Sequence, residues 1–104
     1  MTNLEMVAAE LEAAKKKHPK FVDRFTRKTP LRADCDLDHA RATLRYEDGW
    51  GTVSFAEVLG CEVAEAVSAY ANGDLAHARQ ELAQCAAVCI RAMEHIEKEM
   101  EEKK

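Results

Sequence analysis

Little in this sequence would interrupt a helix. Two prolines and four glycines among 104 residues leave long stretches unbroken, and no segment shows the period-two alternation of a half-buried strand. Aromatic residues make up only 6%, and there is no RNP-like aromatic run, zinc motif or helix-turn-helix signature. The chain as a whole is acidic, so nucleic acid is not expected as a partner. No apolar run approaches the roughly 18 residues of a membrane span, which argues against a membrane partner. The start Met1-Thr2-Asn3-Leu4-Glu5 lacks the basic and apolar regions of a secretory leader, and a cytoplasmic protein is expected. Four cysteines, Cys35, Cys61, Cys85 and Cys89, include no CxxC pair and no set complete enough for zinc. They are expected as free, largely buried thiols.

What is present is charge and alanine. The net charge of −4 conceals a division. Residues 1–14 carry three acids and no base, residues 15–45 ten bases against four acids, and residues 46–104 five bases against twelve acids. At this length a single domain, residues 1–104, is expected. It divides into N-terminal helices with the basic segment (1–49) and a helical hairpin (50–100).

Thr2 and Glu5 have capping-box spacing ahead of a stripe of Leu4, Val7, Ala8 and Leu11, and the helix should close through Lys15–Lys17 before Pro19. Phe21, Val22 and Phe25 suggest a small apolar cluster that Thr29-Pro30 ends, with Asp36 or Asp38 capping the next helix. Asp48-Gly49-Trp50-Gly51 reads as a turn. Ser54-Phe55-Ala56-Glu57 is a second capping box, opening a helix whose apolar face carries Phe55, Val58, Leu59, Val63, Ala66, Val67 and Tyr70. Gly73 suits a left-handed turn, and Asp74 caps a long helix from about Leu75 to beyond Met100. The expected fold is therefore all-α, an antiparallel bundle of about four helices. The long helix is apolar on more sides than one short chain can cover, so a second copy should complete the bundle.

Two acids fall in the wrong place for a solvated face. At about 100° per residue, with Phe55 as origin, Glu62 lies near 340° and Glu65 near 280°, within or beside the apolar stripe. A carboxylate facing a core is costly unless a cation or donor meets it. Glu81 and Gln84 repeat the i, i+3 spacing on the following helix, at a similar height above the bend near residue 73. A divalent cation held by Glu62, Glu65, Glu81 and Gln84 would satisfy both pairs. The alternative is that these are surface acids, or partners of Arg41, Arg45 or Arg79. His77 and His95 read as solvated, and Trp50 as packing beneath the start of its helix.

Leu59-Gly60-Cys61-Glu62-Val63-Ala64-Glu65-Ala66, the Asn72-Gly73-Asp74 turn and Gln80-Glu81-Leu82-Ala83-Gln84 resemble the MazG-type nucleotide pyrophosphohydrolases of the all-α NTP pyrophosphatase superfamily. That signature is E-E-x-x-E, a spacer, then E-x-x-D. The resemblance covers residues 50–96. It implies a homodimer or homotetramer that uses Mg²⁺, or Mn²⁺, to cleave a nucleoside triphosphate into a monophosphate and pyrophosphate. It further implies Glu62, Glu65 and Glu81 as metal ligands, with one acid of the set, Glu62 or Glu65, or the metal itself, activating the attacking water. Lys20, Arg24, Arg41 and Arg45, with Trp50, are the candidates to meet the nucleotide. Cys61 replaces the first motif Glu and Gln84 the final Asp, as in a divergent branch of small phage and bacterial proteins. These departures leave a second expectation open: a helical oligomer that binds nucleotide or a protein partner without turnover.

Overall fold

The computed structural model describes residues 1–103, and the protein is all-α. Four helices follow one another: α1 (Asn3–Lys17), α2 (Pro30–Gly49), α3 (Phe55–Ala71) and α4 (Leu75–Glu102). No strand occurs among the described residues, and no helix is long and apolar enough to cross a membrane.

Local chemistry explains most of the boundaries. Thr2 and Glu5 form the reciprocal capping box, Glu5 N–H donating to Thr2 Oγ1 at 3.1 Å and Thr2 N–H to Glu5 Oε1 at 3.0 Å. Lys15, Lys16 and Lys17 occupy the last turn of α1, where the helix dipole favours cations. Between α3 and α4, Gly73 adopts φ +83°, a conformation costly for any residue with a Cβ. Asp74 caps α4, its Oδ1 accepting from His77 N–H at 3.0 Å.

Two boundaries differ from expectation. Thr29-Pro30 opens α2 instead of closing an earlier segment. Thr29 Oγ1 accepts from Arg32 N–H at 3.2 Å, and Pro30 takes the first helical position, where its missing N–H costs nothing. Asp36 and Asp38 consequently lie inside α2 and cap nothing; Asp36 instead pairs with Lys28 at 2.6 Å and Arg32 at 3.1 Å. At α3, Ser54 is the N-cap residue but its hydroxyl bonds the Glu57 carboxylate, so neither side chain serves a backbone N–H.

The chain separates into two compact units. One comprises residues 1–24 with the end of α4 from Ile90. Within it Asn3 Nδ2 donates to Glu97 Oε1. None of α1 is buried, and Leu4, Leu11, Phe21, Ile96 and Met100 are all exposed. The expected Phe21–Val22–Phe25 cluster does not form: Phe21 and Val22 face solvent, while Phe25 lies against Tyr70 with ring centroids 4.6 Å apart.

The other unit, residues 25–89, packs α2, α3 and the first half of α4. Apart from Leu37 of α2, its core is built from small side chains: Ala33 of α2, Cys61, Ala66, Ser68 and Ala69 of α3, and Ala78 and Cys85 of α4. Small residues let helix axes approach closely, which matters for the groups they carry between them. Around α3 the buried arc runs from Ser68 and Cys61 through Ala69 to Ala66, while Phe55, Val63 and Tyr70 are at least 39% exposed. The arc is therefore rotated from the stripe expected around Phe55. Its middle, at about 300° in the same frame, is where Glu62 and Glu65 project.

A candidate metal centre between two helices

Glu62 and Glu65 leave α3 one turn apart, and Glu81 leaves α4 opposite them. A carboxylate oxygen from each lies within 4.8 Å of the other two. Glu81 is 6% exposed, and Glu62 and Glu65 are half-buried. Two oxygens, Glu62 Oε2 and Glu81 Oε2, are shut away from solvent with no hydrogen-bond partner. Buried acceptors without donors are rare because each forfeits its hydration without compensation.

Two further oxygens, Glu65 Oε1 and Glu81 Oε1, have partners. Arg41 of α2 reaches Glu65 Oε1 at 3.5 Å, and Cys61 directs its thiol at the same atom from 4.0 Å. His77 meets Glu81 Oε1 at 3.0 Å. An open pocket of about 360 Å³ adjoins the carboxylates, lined by Leu37, Arg41, Glu65, Ser68, Asn72 and His77 among others. Its far wall is stiffened by Asp34, whose Oδ1 accepts from Ser68 Oγ at 2.6 Å and Asn72 Nδ2 at 3.0 Å.

The electrostatics follow from crowding. Burial, then the neighbouring Glu65 charge, raises the Glu62 pKa. Burial and Glu81 raise that of Glu65, against an opposing pull from Arg41. Burial also pushes Glu81 upward, but the neighbouring Glu65, His77 and Glu62 groups outweigh burial and hold it below its ordinary value. Without a cation, crowding of the three carboxylates shifts Glu62 and Glu65 toward their protonated forms. Burial and the Glu65 charge raise the Cys61 pKa, and burial that of Cys85, so both remain thiols.

The donor set fits a hard divalent cation. It supplies carboxylate oxygens only, is partly desolvated, and includes two oxygens with no other partner. Of the four residues expected to share a metal, the structure gathers Glu62, Glu65 and Glu81. Gln84, one turn beyond Glu81, is exposed.

Among the expected phosphate contacts, Arg41 stands at the pocket. Arg45 is exposed on α2, one turn on. Lys20 pairs with Asp23 at 2.8 Å, and both Lys20 and Arg24 belong to the unit formed by residues 1–24 and the end of α4. Trp50 does not pack beneath α3; it is 71% exposed, with its ring 6.4 Å from that of Tyr46. His77 is the residue that a reading as solvated overlooks. The signal was its i, i+4 spacing from Glu81, which places both side chains on one face of α4. His95, by contrast, is exposed and pairs with Glu99 at 2.8 Å.

No described protein family matches the chain, and no curated protein or solved structure is significantly similar to it.

Proposed function

We propose that Glu62, Glu65 and Glu81 hold a divalent cation, Mg²⁺ or Mn²⁺, and that the protein is a nucleoside triphosphate pyrophosphohydrolase. The observation that carries the first half is the pair of buried, partnerless oxygens, Glu62 Oε2 and Glu81 Oε2, inside a three-carboxylate cluster. Support for the second half is the resemblance of residues 50–96 to MazG-type enzymes, together with a cationic side chain, Arg41, in the lining of the adjoining pocket. Mg²⁺ at such a site supplies positive charge to phosphate oxygens and to the charge that develops on them during cleavage.

The chain's own groups have definable tasks. Arg41 lines the pocket and neutralises phosphate charge there, a role its pairing with Glu65 leaves open at 48% side-chain exposure. Glu65 lines the same pocket, where its carboxylate can accept a proton from the attacking water. Leu37 and Ala69 form the apolar part of the lining. The reading includes self-association, supported by the exposed Leu4, Leu11, Ile96 and Met100. It also includes a cytoplasmic location, supported by four free cysteines.

The test is release of pyrophosphate from a panel of ribo- and deoxyribonucleoside triphosphates with Mg²⁺ or Mn²⁺. Activity that is lost in Glu62→Ala and Glu65→Gln supports the proposal; no hydrolysis of any member refutes it. A second reading is favoured by Gln84, which is neutral and exposed where the family signature has Asp. In that reading the same centre binds nucleotide without cleaving it. Nucleotide binding without turnover, with turnover gained in Gln84→Asp, would select it.

A further inference from the structure

His77 stands at a junction that neither the motif nor the cation accounts for. It lies in the first turn of α4, and its backbone N–H donates to the capping Asp74 Oδ1 at 3.0 Å. Its ring leans along the helix toward Glu81, placing Nε2 3.0 Å from Oε1. Because a carboxylate can only accept, Nε2 carries the proton. The other ring nitrogen, Nδ1, faces Asp74 Oδ2 at 3.9 Å. The ring is thus bracketed between two acids on one face of the helix, and its outer edge lines the pocket.

The consequence lies in the two oxygens of Glu81. One is occupied by His77, and the other, Oε2, is buried and partnerless on a residue of the carboxylate cluster. A glutamate has three rotatable bonds, and a buried one with both oxygens free could turn either toward its neighbours. The hydrogen bond to Oε1 removes that choice. Glu65 is treated in parallel fashion, with Oε1 committed to Arg41.

We propose that His77 is a positioning residue for the cation centre: by donating to Glu81 Oε1 it orients Glu81 so that Oε2 is presented to the cluster. The inference rests on the reading of Glu62, Glu65 and Glu81 as cation ligands. Outer hydrogen bonds of this kind orient metal-binding carboxylates, and their loss costs about 10- to 100-fold in metal affinity.

The experiment measures Mn²⁺ affinity by electron paramagnetic resonance titration in the full-length wild type, His77→Ala and His77→Gln. The Gln amide offers an N–H donor in place of Nε2–H. His77 is half exposed, so shortening it opens no cavity in the core, and far-UV circular dichroism verifies folding of each variant. The expected result is a 10- to 100-fold weaker affinity in His77→Ala that His77→Gln largely restores. Affinity in His77→Ala within about twofold of wild type overturns the positioning role while leaving the cation reading intact. Equal loss in both variants also overturns it, since ring packing and not the hydrogen bond would then hold Glu81. Wild type that binds no Mn²⁺ overturns both.

Discussion

Replacing Glu62 by Gln should stabilise this protein without a divalent cation and weaken it, relative to wild type, with one. The substitution keeps the shape of the side chain and removes one of three charges whose oxygens lie within 4.8 Å of one another. Two unit charges at that separation repel by about 3–4 kcal/mol at an effective dielectric constant of about 20. Proton uptake by Glu62 and Glu65 limits how much of that cost survives in the folded chain. A net gain of about 1–2 kcal/mol at neutral pH is therefore expected for Glu62→Gln in chelator, a rise of about 5–10 °C in Tm for a domain of this size. Adding Mg²⁺ at about a hundred times its dissociation constant should stabilise wild type by about 2.7 kcal/mol. The variant, with one ligand neutralised, should gain much less, so the two unfolding curves approach or exchange order. Thermal unfolding followed by far-UV circular dichroism, with chelator and with Mg²⁺, reads both arms. If Glu62→Gln is less stable than wild type in chelator and Mg²⁺ shifts both proteins equally, the carboxylates do not repel as described and no cation relieves them.

Other predictions follow from particular contacts. Glu62 and Glu65 hold their protons to higher pH in the folded state than their ordinary 4.5, so above that pH the native chain binds more protons than the unfolded one and stability falls as pH rises. The Tm difference between a Glu62→Gln/Glu65→Gln double variant and wild type, measured in chelator, should therefore widen with increasing pH through that window; a constant difference would contradict it. Thr29→Ala removes the acceptor at the start of α2 and should cost about 1 kcal/mol in urea unfolding, whereas Asp38→Ala should cost far less because Asp38 caps nothing. Ala66 is inaccessible to solvent, so Ala66→Leu should overpack the α3 contact and cost about 1–3 kcal/mol by the same measurement.

The residues that make the candidate site were legible because their signals are local. The phase of α3 sets Glu62 and Glu65 on its buried side, and the Asn72-Gly73-Asp74 turn places Glu81 at matching height on α4. Thr2, Gly73 and Asp74 act at boundaries through interactions within a few residues, and the structure has them as read. Legibility failed where one residue type supports opposite outcomes. Proline stops a helix that precedes it and suits the first turn of one that follows, and at Pro30 the second outcome prevailed. It failed also where tertiary packing decides: Trp50 and Phe21 are large and apolar yet remain exposed, while the core, Leu37 apart, consists mostly of alanines and cysteines with little hydrophobic signature of their own. The exposed Gln84 shows the limit of spacing arguments, since an i, i+3 pair shares a face only approximately, and here the two positions differ in burial.

All three carboxylates come from the segment 62–81, two consecutive helices joined by a tight turn. Their encounter requires closure of only a short loop, which costs less chain entropy than contacts distant in sequence. Closing the hairpin therefore also brings like-charged groups side by side. Folding and charge repulsion are opposed at the same moment, and a dissolved divalent cation would act at that moment too, as a participant in folding of the hairpin and not only as an occupant of the finished protein.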